Sequence, residues 1–149
     1  MPFNDEVFKM VQDLAAARPF RADAVAAITT QPLQPASSQP NAYFTIYTAH
    51  DDANPHVKET ELRVPKAGAT ADDGLLILTL PTTSCIAESE VKAHFGDKAE
   101  PSFPSPREPA SAPMYLVYRL PWGALRFGFE RGGRACLTTV VLDATRKGG

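Results

Sequence analysis

Histidines and acids crowd one short stretch of this 149-residue chain, AHDDANPH at residues 49–56. Imidazole and carboxylate groups together suit several divalent ions, which makes His50, Asp51, Asp52 and His56 candidate ligands. Their spacing matches no established metal signature, however, and the same residues make an ordinary polar loop between two strands. The expectation is a loop without a metal, and a metal-dependent protein using His50 to His56 is the second alternative. Cys85 and His94 come nearest to a nucleophile with its base. If both flank one helix, they stand about 13 Å apart along its axis, too far to share a hydrogen bond. Glu88 and Glu90 fall in the first turns of that helix, where the dipole favours acids, so paired-carboxylate catalysis is not needed to explain them. There is no G-x-S-x-G, HExxH, CxxC or phosphate-cradling glycine loop. A chain that is not an enzyme and holds no cofactor is therefore expected.

A second stretch, LPWGALRFGFERGG at residues 120–133, suggests RNA. The RNA-recognition strand needs a basic residue, Gly, an aromatic, Gly or Ala, then another aromatic. Here Arg126 runs directly into Phe127, and Glu130 puts an acid where an apolar residue belongs. Period-two alternation sets Leu125, Phe127 and Phe129 on one face, and a leucine in that row argues for burial rather than base stacking. Arg126 and Glu130 share the other, solvated face. Gly132 and Gly133 read as a hairpin tip, and Pro121-Trp122-Gly123 as the turn before it. Trp122 either folds back on the core or stays exposed as a binding anchor.

These residues need elements to hold them. Asn4 is positioned to cap a helix over about 5–17, with Asp5 and Glu6 in its first turn and Val7, Phe8, Val11 and Leu14 on one stripe. Pro19 stops it, and a second helix fits residues 22–28. A proline-rich loop follows at 31–41, and then three strands at 42–48, 57–64 and 75–80. In the second of these, Glu59, Glu61 and Arg63 alternate with Thr60, Leu62 and Val64, giving one wet face. In the third, LLILTL is apolar on both faces. Ser84 is a plausible cap for a helix over 87–95, with Gly96 as its stop. Prolines 101, 104, 106, 109 and 113 mark another loop, and strands follow at 114–120, 124–130 and 135–143.

The order of helix, proline-rich loop and three strands thus occurs twice. ADAVAAI precedes AYFTIY as SEVKAHF precedes MYLVYR, which predicts an internal repeat with halves at about 19–80 and 84–143 within a single compact domain, residues 1–149. The expected fold class is α+β, an antiparallel sheet with helices packed on one side. On residues Ser89-Glu90-Val91, Phe95-Gly96, the strand from Tyr115 to Tyr118, and Leu125, Phe127 and Phe129 before a glycine turn, the chain resembles the β-lactamase inhibitory protein family. Its second half is similar to small outer-membrane lipoprotein scaffolds. Members of the inhibitor group carry a cysteine bridge in each half, whereas Cys85 and Cys136 both lie in the second half here. The resemblance implies an envelope protein that binds another protein on its sheet face.

Hydrophobic content of 44% and charged content of 21% are ordinary for a folded domain. A net charge of −2 is no footprint for nucleic acid. No apolar run approaches the roughly 20 residues of a membrane helix, and no signal peptide is visible. Cys85 and Cys136 either form a disulfide, which would favour an oxidising compartment, or remain two buried thiols. Glu59, Glu61, Arg63, Arg119, Arg126 and Glu130, with Trp122, are the candidate partner-binding residues. An inhibitor or immunity-type protein of the bacterial envelope, blocking a toxin or enzyme from the periplasm, is the expected function. A scaffold subunit of an envelope complex is the alternative function, and the cytoplasm the alternative location.

Overall fold

A computed structural model describes residues 2–36, 42–50, 54–83 and 85–147. Among them, helices α1 (Pro2–Ala16) and α2 (Ala22–Thr29) precede strands β1 (Gln34–Pro35), β2 (Phe44–Ala49), β3 (Glu59–Pro65) and β4 (Leu75–Thr79). Helix α3 (Glu88–Phe95) then precedes β5 (Glu100–Ser102), β6 (Met114–Leu120), β7 (Gly123–Phe129) and β8 (Leu137–Asp143). The eight strands form one sheet in the order β1-β2-β3-β4-β8-β7-β6-β5, with every neighbouring pair antiparallel. The molecule is therefore mixed α+β, as expected, but each run after a helix contains four strands rather than three. The additional strands, β1 and β5, lie inside the proline-rich segments and at the two edges of the sheet. Proline is tolerated there because an edge strand can turn an N–H-free position outward.

Alternation decides which side chains enter the core. One row crosses the sheet as Leu62, Leu76, Leu142, Leu125 and Tyr118, and the next as Thr60, Leu78, Val140, Phe127 and Leu116. All are buried, and all but Thr60 join one apolar cluster with Val7, Phe8, Val11 and Leu14 of α1, Val25 of α2 and Val91 of α3. The Tyr118 hydroxyl donates to the carbonyl of Gly96 at 2.5 Å, tying the end of α3 to β6. Thr60 is the polar member, and its hydroxyl donates to Gln31 Oε1 at 2.5 Å. At the start of β7 the backbone passes so close to β8 that a Cβ on Gly123 would lie 2.0 Å from the Asp143 carbonyl, at a φ of +153°. Only glycine fits that position.

Two expected helix starts differ. The first helix begins at Pro2, not near residue 5, since proline at the first helical position loses no needed N–H. Asn4 is thus inside α1, buried, and its side-chain amide donates to Glu90 Oε1 of α3 rather than capping anything. The other oxygen of Glu90 accepts the N–H of Ala87 at 2.8 Å, closing the start of α3 from within. The expected cap, Ser84, lies outside the described residues, and the residue in the cap position is Ala87.

Candidate docking face of the sheet

The residues that alternate with the core rows lie on the opposite face. Its central row reads Thr48, Glu61, Ile77, Val141, Arg126, Val117 and Glu100 across seven strands. The row beside it reads Ile46, Arg63, Leu75, Asp143, Ala124 and Arg119. On the other side lie Glu59, Thr79, Thr139, Gly128, Tyr115 and Ser102. Register therefore brings Glu59, Glu61, Arg63, Arg119 and Arg126 together on one surface. Its middle, on β4 and β8, holds three half-buried apolar residues, Leu75, Ile77 and Val141; Ile46 and Val117, buried outright, lie outboard of Arg63 and Arg126.

Opposite charges are interleaved across this face. Arg63 Nε reaches Glu61 Oε2 at 2.8 Å, and Arg126 Nη1 reaches Asp143 Oδ2 at 3.0 Å. Arg119 pairs with Glu100 at 3.5 Å, and His50 Nδ1 lies 3.7 Å from Glu59. Such half-exposed pairs are worth about 0–1 kcal/mol each, so they orient side chains more than they stabilise the fold. Two shallow depressions flank the apolar middle. One of about 90 Å³ is lined by Thr48, His50, Glu59, Glu61, Ile77 and Thr79; the other, about 220 Å³, by Ala124, Arg126, Asp143, Thr145 and Arg146. The Tyr115 ring lies across Gly128, where an added Cβ would meet it at 2.8 Å, so glycine at 128 is what lets the ring lie flat on the sheet. Burial pushes the Tyr115 hydroxyl above its usual range, against the pull of the nearby Arg126 charge.

Asp143 holds one end of this surface. Burial works to raise its pKa, but the hydroxyl and backbone N–H of Thr145 and the Arg126 guanidinium together hold the carboxyl below its usual 3.8. A carboxyl whose folded-state pKa is depressed adds stability that is complete above the unfolded value and is lost as pH falls through the folded one. Asp143→Asn is accordingly expected to melt below the wild type at neutral pH, with the gap closing as pH falls from about 5 through the lowered pKa of the Asp143 carboxyl. Parallel melting curves over that range test this; a gap that stayed constant would show that the charge on Asp143 contributes nothing.

The other expected site residues lie elsewhere. Trp122 folds back: it is half-buried against the core cluster, with the Arg18 guanidinium 4.5 Å above its ring, and does not join Arg126. Glu130 sits just past β7, where Oε1 accepts the N–H of Cys136 at 3.3 Å and the backbone N–H donates to the Cys136 carbonyl, so it serves the hairpin end. Cys85 and Cys136 are joined as a disulfide with Cα atoms 4.9 Å apart. His56 Nε2 lies 2.6 Å from Glu6 of α1, whereas His50 faces Glu59, so the two histidines of the metal alternative point to different carboxylates. Asp51 and Asp52 lie outside the described residues, and among the described residues no three His, Cys, Asp or Glu side chains gather as a metal site would require. No described helix is long and apolar enough to cross a membrane. Phe127 and Phe129 of the RNA-like stretch are inside the core, out of reach of any base.

Sequence reasoning missed the apolar middle. Its signal was present in LLILTL, apolar at both parities, which a one-sided strand does not require. Comparisons with protein-family models, curated proteins and solved structures found no match for this chain.

Proposed function

We propose that this chain is a non-enzymatic protein-binding domain, in concrete terms an inhibitor or immunity-type protein, that docks its partner on the face carrying Glu61, Ile77, Val141 and Arg126. The observation that carries the proposal is the composition of that face, a half-exposed apolar centre between charged flanks. Protein interfaces combine an apolar middle with a polar rim in this way, and the charges set orientation and specificity. The sheet edges favour a face over an edge as the docking site. Each ends in a strand of two or three residues containing a proline, Pro35 or Pro101, which blunts strand addition. In this proposal the three helices cover only the core face, and α2 with β1–β4 and α3 with β5–β8 are two copies of one repeat. The partner is another protein, met in an oxidising compartment such as the periplasm, where a Cys85–Cys136 bridge persists.

Immobilised protein should retain one partner from source-cell extracts, and that partner, once purified, should bind the wild type in calorimetry. Ile77→Arg and Arg126→Glu are each expected to weaken binding at least about tenfold, by placing a charge in the apolar middle or reversing one at its rim. Lys9→Glu on the outer side of α1 should leave it unchanged. Binding insensitive to both face variants, or recovery of nucleic acid alone, would overturn the proposal.

A further inference from the structure

The central row has a polarity of its own: Glu61, Ile77, Val141, Arg126, an acid and a base enclosing two apolar residues. The boundary between β4 and β8 cuts it in the middle. When two copies face one another about a twofold axis that runs parallel to the strands along this boundary, each position meets its mirror position in the row. Glu61 then faces Arg126 of the second copy, Ile77 faces Val141, and both contacts occur twice. An axis perpendicular to the strands would instead place Glu61 on its own counterpart, which like-charge repulsion disfavours.

We infer that this face closes on a second copy of the chain, giving a twofold dimer through the Glu61–Ile77–Val141–Arg126 row. The inference rests on the assignment of this face as a protein-docking surface and names one occupant for it. Isologous contact is the commonest route to a dimer, because one self-complementary patch suffices. Size sets its strength. Six strands about 4.8 Å apart and about five residues long present on the order of 500 Å² per copy, or about 1,000 Å² in total, at the lower end for specific interfaces. The dimer is therefore transient, populated at high protein concentration, and it competes with any target that needs the same face.

Sedimentation velocity from about 5 to 500 µM tests the inference, with circular dichroism to confirm that each variant is folded. The wild type should pass from monomer to dimer over this range. Glu61→Arg and Arg126→Glu should each raise the dissociation constant at least about tenfold, since each sets like charges against one another twice. An equimolar mixture of these two variants should recover a dimer, because each introduced arginine then meets an introduced glutamate across the interface. The double variant should recover it by itself for the same reason. Ile77→Arg should abolish it without relying on either ion pair. A wild type monomeric to 500 µM, or a dimer indifferent to all these changes, overturns the inference. The two proposals can fail separately. A monomeric wild type whose target affinity still falls with Ile77→Arg removes the second copy and keeps the docking face. A dimer and a target affinity both unmoved by Ile77→Arg remove both.

Discussion

Phe127→Ala is expected to cost about 3–5 kcal/mol of folding stability, the range for truncating a large buried aromatic. The ring is fully buried in β7, and it touches two further aromatics. Its centroid lies 4.9 Å from that of Phe95 on α3, and 5.9 Å from that of Tyr118, which it meets edge-on at 89°. Such pairs add about 0.5–1.5 kcal/mol beyond burial, and here they join helix to sheet, so the void left by alanine cannot collapse from one side alone. Phe127→Leu retains most of the volume and should cost about 1–2 kcal/mol. Arg126→Ala, one residue away on the opposite face, should cost no more than about 1 kcal/mol. Guanidinium unfolding of the three variants gives the comparison. If Phe127→Ala and Arg126→Ala were equally mild, the alternation of β7 would be wrong and the aromatic row would be available to a ligand after all.

Loss of the Cys85–Cys136 bridge should be nearly as damaging. It closes a 51-residue separation, for which the chain-entropy account gives about 4 kcal/mol. For a domain of this length that corresponds to a fall of roughly 10–15 °C in Tm. The bridge also lies where the local backbone depends on it. Cys85 leads into α3 and Cys136 into β8, and between them Leu137 N–H donates to the Ile86 carbonyl at 2.8 Å while Arg134 donates to the Thr82 carbonyl at 2.9 Å. Cys136 is fully buried, so reduction leaves a thiol with no access to water. Thermal melts of the wild type with and without reductant, beside a Cys85→Ser/Cys136→Ser variant, measure the effect. A shift below about 1 kcal/mol would mean that the hairpin holds its place without the covalent link.

What was legible in the sequence came from local periodicity. The stripe Val7, Phe8, Val11 and Leu14 marks α1, and the alternation of Glu59, Glu61 and Arg63 places these charges on one face of β3. The alternating row Leu125, Phe127 and Phe129 is enough to reject the RNA motif. The rest depended on residues far apart in the chain. Asn4 has the chemistry of a cap, yet its amide is used by Glu90, 86 positions later. Trp122 could have folded in or stayed out; it packs against the core cluster, with Arg18, just past the end of α1, over its ring. The prolines that announce loops at 31–41 and 101–113 also conceal β1 and β5, because an edge strand obeys weaker rules than a central one. The proposed docking face was half legible: its charged rim follows from alternation, but its apolar middle exists only because β4 lies beside β8, a pairing that no local pattern specifies.

That central pairing also sets the order in which the molecule can be assembled. Strands β1 to β4 are contiguous in the chain and can pair as soon as they exist, but β4 is then an edge. It is a poor one, with Leu76 and Leu78 on one side, Leu75 and Ile77 on the other, and neither proline nor charge to deter a foreign strand. Its rightful neighbour, β8, is the last strand of the sheet in sequence, and Leu76 meets Leu142 only when that strand arrives. During synthesis, the interval before residues 137–143 emerge is therefore the chain's most vulnerable period, when a half-built sheet presents its stickiest strand to its surroundings.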